Sequence, residues 1–102
     1  MSFIIIQVTY PNLKETKKAI FHLLQKNLIS SANYFPIKSA SRWTGKIKEV
    51  GQITTFLKTR KENWEKVKSE IQKIHPYKIP YIAKFNVEAS KEYENWIRKQ
   101  TK

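Results

Sequence analysis

Hydrophobic and polar positions change period along this chain, and the changes mark its elements. Residues 3–9 are rich in Ile and Val and read as a buried strand. Tyr10-Pro11-Asn12 ends it. Asn12 with Glu15 three residues on forms a capping box. Leu13, Ile20, Leu23 and Leu24 then recur near helical spacing, with Lys14, Lys17 and Lys18 toward solvent, until the helix ends near Asn27. His22, between Phe21 and Leu23, reads as a helix-surface or packing residue. Residues 28–37 and 50–58 are extended in character and flank Gly45, where a turn or a close backbone approach is expected. Together they predict a hairpin longer than one small domain needs, with an outer part that pairs with another subunit.

Thr59 and Glu62 form a second capping box, opening a helix with Trp64, Val67, Ile71 and Ile74 on one stripe. Glu62 and Lys66 hold the four-residue spacing that supports a helix. Pro76 stops this helix at His75. Ile79, Tyr81, Ala83, Phe85 and Val87 alternate as a fourth strand, and Ile82, Lys84 and Asn86 form its half-exposed other side. Ser90 caps a last helix that turns Tyr93, Trp96 and Ile97 inward. The order predicts an α+β fold, a ferredoxin-like βαββαβ sandwich with an additional C-terminal helix. A length of 102 residues suits one domain over residues 1–102.

The stretch His75-Pro76-Tyr77-Lys78-Ile79-Pro80 joins the second helix to the fourth strand. Its two proline rings leave few conformations, so His75 and Tyr77 are held at a fixed corner. Two readings stand: a stiff connection with a solvated histidine, or the corner of a site.

Composition narrows the chemistry. The formal charge is +12, from twenty Lys and Arg against eight acids, all of them Glu. Three of the cations are Arg and the rest Lys, spread over nearly the whole chain. The balance favours anionic partners, but scattered lysines also make an ordinary solvated surface, and no aromatic-basic RNA-binding signature accompanies them. Nucleic acid is therefore disfavoured. With no cysteine, thiolate chemistry, disulfides and Cys-based zinc sites are excluded. No apolar run reaches bilayer-spanning length and the opening residues lack the form of a signal peptide, so a cytoplasmic location without membrane contact is expected. No Ser-His-acid spacing, glycine-rich phosphate loop or HExxH stretch is present, so no enzyme is expected.

Several stretches resemble the CutA divalent-cation tolerance proteins, in order and over nearly the whole chain. Val8-Thr9-Tyr10-Pro11 resembles the family's Val-Thr-Cys-Pro, and Leu28-Ile29-Ser30-Ser31-Ala32-Asn33 its Leu-Ala-Ala-Cys-Val-Asn. Ser39 and the run from Arg42 to Glu49 resemble Ser-x-Tyr-x-Trp-x-Gly-Lys-Ile-Glu-Glu. Lys58-Thr59 matches its Lys-Thr, and the 75–80 corner resembles His-Pro-Tyr-Glu-x-Pro.

The resemblance implies a ferredoxin-like subunit in a tight homotrimer. The long hairpin would pair across subunits, with Trp43, Gly45 and Tyr77 at the contacts. It also implies a role in the response to metal ions, with copper or another divalent cation bound. Departures bear on that role. Tyr10 and Ser31 stand at the family's Cys positions, and Lys48, Lys78 and Tyr81 where it commonly has Glu. One residue is missing between Pro36 and Trp43. His75 and Glu49 are the metal ligands that the resemblance leaves. Lysines in place of acids repel a cation, which pooling of three His75 copies would offset. The same swap motivates an alternative. The trimer resembles that of the PII signalling proteins, and the chain would be a PII-like module for an anionic small molecule. Its inter-subunit clefts would be lined by Arg42, Lys46, Lys48, Lys58 and Lys78. Trp43 itself reads as packing or interface.

Overall fold

A computed structural model describes residues 3–102. Four strands form one antiparallel sheet: β1 (Phe3–Tyr10), β2 (Ser31–Trp43), β3 (Lys46–Arg60) and β4 (Ile82–Val87). Their order in space is β2-β3-β1-β4, the ferredoxin-like arrangement. Helices α1 (Leu13–Gln25) and α2 (Trp64–Ile74) cover one face, and α3 (Lys91–Gln100) follows β4.

Strand alternation assigns the faces. Ile4, Ile6, Val8 and Tyr10 of β1 are fully buried and pack with Ala19, Ile20 and Leu23 of α1 and Val67 and Ile71 of α2. Each such side chain contributes about 1.5–3 kcal/mol on leaving water. Asn12 caps α1 as expected, its Oδ1 accepting from the Glu15 N–H at 2.9 Å. Across the helix layer, Glu70 joins α2 to α1: its Oε1 lies 2.8 Å from His22 Nε2 and 3.1 Å from Lys26 Nζ. The bonds from His22 and Lys26 hold the Glu70 carboxyl well below its ordinary range, at about 2. His22 is thus a surface packing residue, as its sequence setting implied.

The second capping box does not form. Thr59 is the penultimate residue of β3, and its hydroxyl donates to the buried Leu28 carbonyl at 2.6 Å. A 3-10 turn over Lys61–Asn63 leads into α2, and Glu62 accepts from Arg98 at 3.0 Å instead of pairing along the helix. The fourth strand also starts later, at Ile82, and its faces are the reverse of the expected ones. Val8 pairs with Ile82 and Ile6 with Lys84, so the even-numbered residues point at the helices. Lys84 is tolerated there because its ammonium lies 5.4 Å from the Trp64 ring centre, which Lys68 approaches from 5.1 Å. Phe85 faces the opposite side and is exposed.

That opposite side of the sheet is covered only at one end. There α3 packs Tyr93 edge-on against Phe3, with ring centres 6.0 Å apart, and buries Ile97 fully. Trp96 stays exposed, contrary to the inward position expected for it. The Arg60 guanidinium ties α3 down by donating to the Arg98 and Thr101 carbonyls.

Beyond Tyr10, whose partner on β3 is Ile53, the sheet continues as a two-stranded ribbon. Residues 37–43 pair only with residues 46–52. Thr44 and Gly45 close it with φ of 49° and 80°, the left-handed pair that a tight hairpin turn demands. The ribbon stretches the molecule to 46 Å in one direction against 24 and 21 Å in the others.

Candidate functional site

The 75–80 corner is built by α2's abrupt end. His75 donates its backbone N–H to the Ile71 carbonyl at 2.8 Å and then leaves helical geometry at ψ 136°, as Pro76 requires. Its ring returns toward the sheet. Nε2 lies 2.7 Å from the Thr9 carbonyl, and Nδ1 accepts the Tyr77 backbone N–H at 3.0 Å. This pattern assigns the neutral tautomer with its proton on Nε2. The ring stacks on Tyr10 with centres 4.5 Å apart, and Tyr77 tilts against it at 4.9 Å. The Tyr77 hydroxyl in turn accepts from Gln52 Nε2 at 2.8 Å. The corner is thereby pinned to β1 through His75 and to β3 through Tyr77.

Burial pushes the His75 pKa below its ordinary value, opposed by the Thr9 carbonyl and the Glu15 charge. The Tyr10 phenol is pushed up by burial and, less, by Glu15. Its hydroxyl is buried and has no hydrogen-bond partner among the described residues.

The corner does not fit a metal within one chain. The Nδ1 lone pair is committed to Tyr77, and Nε2 carries the proton given to Thr9. Glu49 lies four residues up β3 from Ile53, the partner of Tyr10. At about 3.3 Å per residue, this sets it roughly 13 Å along the strand from the histidine's level. Among the described residues no group of three or more His, Asp or Glu is placed to hold a metal ion.

The five cations do not form one cleft on the subunit either. Lys48 and Lys78 both line a hollow between the ribbon and the corner. Arg42 pairs with Ile47, on the ribbon's other face. Lys46 sits at the turn opposite Trp43. Lys58 is ten residues from Lys48 along β3 and donates to Asn33 Oδ1 at 2.7 Å. Trp43 stands 64% exposed on the ribbon face that carries Lys48, and Gly45 lies in the turn. Tyr77 is turned onto its own chain.

Sequence reasoning missed Tyr10 as the ring beneath His75 and Gln52 as the anchor of Tyr77. Gln52 left one signal: it is a polar residue on the strand face it shares with Val50 and Thr54.

The sheet order, the extended hairpin and the His-Pro-Tyr corner together define a ferredoxin-like α+β protein with a projecting ribbon. Comparison with known proteins is specific. The sequence profile of the CutA1 divalent ion tolerance protein family matches residues 4–100, and the chain belongs to that family. The Divalent-cation tolerance protein CutA of Pyrococcus horikoshii is 34% identical over 97% of this chain and 98% of its own. The Archaeoglobus fulgidus protein of the same name is 37% identical, over 90% of this chain and 91% of its own. A Pyrococcus horikoshii CutA crystal structure superposes with a TM-score of 0.95, covering 97% of this chain and 99% of that one at 34% identity. The structure of the periplasmic divalent cation tolerance protein CutA from Archaeoglobus fulgidus superposes at 0.91, with 35% identity and 98% of each chain covered. No described helix is long and apolar enough to cross a membrane.

Proposed function

We propose that this protein serves divalent-cation tolerance as a non-enzymatic, cytoplasmic homotrimer. Family membership carries the tolerance role. The observation that supports assembly is the sheet face left bare beyond α3. Phe35, Tyr81 and Phe85 are each between 45% and 51% exposed there, more apolar surface than an isolated subunit would leave in water. β2 and β4 also end the sheet with free edges, which a neighbouring copy would pair.

Copper, the cation suggested by resemblance, would need ligands pooled between subunits, because one chain keeps His75 and Glu49 apart, and His75 would have to give up its bond to Thr9 or to Tyr77 to take part. No step of the reading depends on a metal bound inside one chain.

Light scattering after size exclusion tests the assembly: three times the 12.1 kDa subunit mass is expected. Phe85→Asp is expected to shift it toward the monomer, and a monomeric wild type overturns the reading. Calorimetric titration with copper(II) tests the pooled site. Saturable binding should fall in Glu49→Gln, which leaves the His75 clamp intact. No saturable binding removes copper from the reading and leaves the trimer standing.

A further inference from the structure

Helix α1 carries a face that neither the core nor the trimer reading uses. Thr16, Ala19, Ile20 and Leu23 pack it onto the sheet. At 3.6 residues per turn its opposite side centres on Lys14, Lys18, Phe21 and Gln25, all exposed, with Leu13 and Lys17 beside them. The trimer reading takes the other face of the sheet, its edges and the ribbon. This side of α1 points away from the sheet.

Its chemistry has two parts. Lys14, Lys17 and Lys18 are exposed and, among the described residues, none has an ion-pair or hydrogen-bond partner. The nearby acids are engaged elsewhere. Glu15 acts on Tyr10 and His75 at the corner, and Glu70 is held by His22, Lys26 and Lys73. Beside the lysines, Phe21 is 56% exposed and Leu13 45%. Phe21 follows Lys18 and Lys17 by three and four residues, so helical geometry leans its ring over the turn that carries them. A lone exposed aromatic is ordinary. One set among three unpaired lysines narrows the choice of partner.

Unpaired ammonium groups favour an anionic surface. A phosphate backbone would answer the lysines but gives Leu13 nowhere to leave water. The outer side of a helix is convex, so it offers no groove to a protruding peptide. An anionic bilayer surface meets both parts: headgroups face the ammonium groups, and the layer beneath takes the apolar side chains.

We propose that the outer face of α1 docks the protein on an anionic phospholipid surface, with Lys14, Lys17 and Lys18 at the headgroups and Phe21 inserted among them. Such contact needs neither a spanning helix nor a signal peptide, the two features whose lack argued against membrane contact. Every group comes from one helix of one chain, so loss of copper binding would leave it untouched.

Sedimentation of the intact protein with sucrose-loaded vesicles provides the readout. The vesicles are phosphatidylcholine and phosphatidylserine in a two-to-one ratio, with pure phosphatidylcholine as the neutral control. Saturable binding is expected only with the anionic vesicles. Lys14→Gln, Lys17→Gln and Lys18→Gln combined should weaken it roughly a hundredfold, at about fivefold for each lysine near the surface. Lys91→Gln, Lys99→Gln and Lys102→Gln combined remove the same charge beyond β4 and should weaken it about twofold or less, because charges far from the contact are screened. Phe21→Ser should weaken it about fivefold. All seven side chains are exposed, so folding should survive, as circular dichroism and light scattering of each variant would report. Absence of wild-type binding to the anionic vesicles overturns the proposal. Equal losses from the two lysine triples do so as well, since net charge alone would then drive the attraction. Full binding by Phe21→Ser overturns it too, and leaves a hydrophilic polyanion such as RNA as the partner of this face.

Discussion

His75 shows how one side chain can be essential to a fold without being free for chemistry. Both ring nitrogens are bonded inside the chain, and the ring is buried against Tyr10. Its folded pKa is depressed, so the neutral form is the one the fold needs. The stability it contributes is complete above the unfolded value of about 6.5 and is lost as pH falls through the lower folded value. Denaturant midpoints taken from pH 8 to pH 5 should decline across that window, before the carboxylates titrate. A His75→Gln variant should be less stable throughout and lack this arm. Tyr10 gives the opposite case. Its hydroxyl is buried without a partner, so Tyr10→Phe keeps the stack and removes the unmet group. A gain of about 1 kcal/mol in unfolding free energy is expected. The corner itself was legible in the sequence, because two prolines restrict geometry locally. The Thr9 contact was not, since it joins residues 66 positions apart.

At the scale of elements, the hairpin was readable from two extended runs and the glycine between them, Gly45. The face of each cation depends on where the turn falls, which Gly45 alone does not fix. Once Trp43 and Lys46 are known to pair, Arg42 must point away from Lys48. The second capping box was misread for a related reason: a Ser/Thr-x-x-Glu spacing identifies candidates, while a distant carbonyl decides where the hydroxyl goes. Thr59 answers to Leu28. β4 sets Ile82 beside Val8 against the core and Lys84 over Trp64, leaving Phe85 exposed on the other face, an arrangement that periodicity does not carry. The turn offers a direct test. Thr44 holds a left-handed φ of 49°, costly for a β-branched residue, where Asn is favoured before Gly. Thr44→Asn should stabilise the ribbon by about 1 kcal/mol, slowing amide exchange at residues 43 and 46, the hydrogen-bonded pair beside the turn, roughly fivefold.

For the molecule as a whole, the order of elements sufficed to give the ferredoxin-like sheet, and the comparisons place the chain in the CutA1 family. The five cations drawn from motif positions were expected to line clefts between subunits, and within one subunit they lie apart, on both faces of the ribbon and along β3. One feature of the architecture bears on how freely the chain can be rewired. The Arg60 backbone pairs with Phe3, while its side chain holds the Thr101 carbonyl at 2.8 Å. The first and last described elements therefore meet at one residue, and the ribbon turn lies at the far end of the same strand. A circular permutant that joins the two ends with a short glycine linker and opens between Thr44 and Gly45 keeps every core strand and helix whole. It should recover the parent's far-ultraviolet circular dichroism and cooperative unfolding. In such a chain the ribbon becomes a pair of loose arms, and connectivity proves separable from the arrangement it serves.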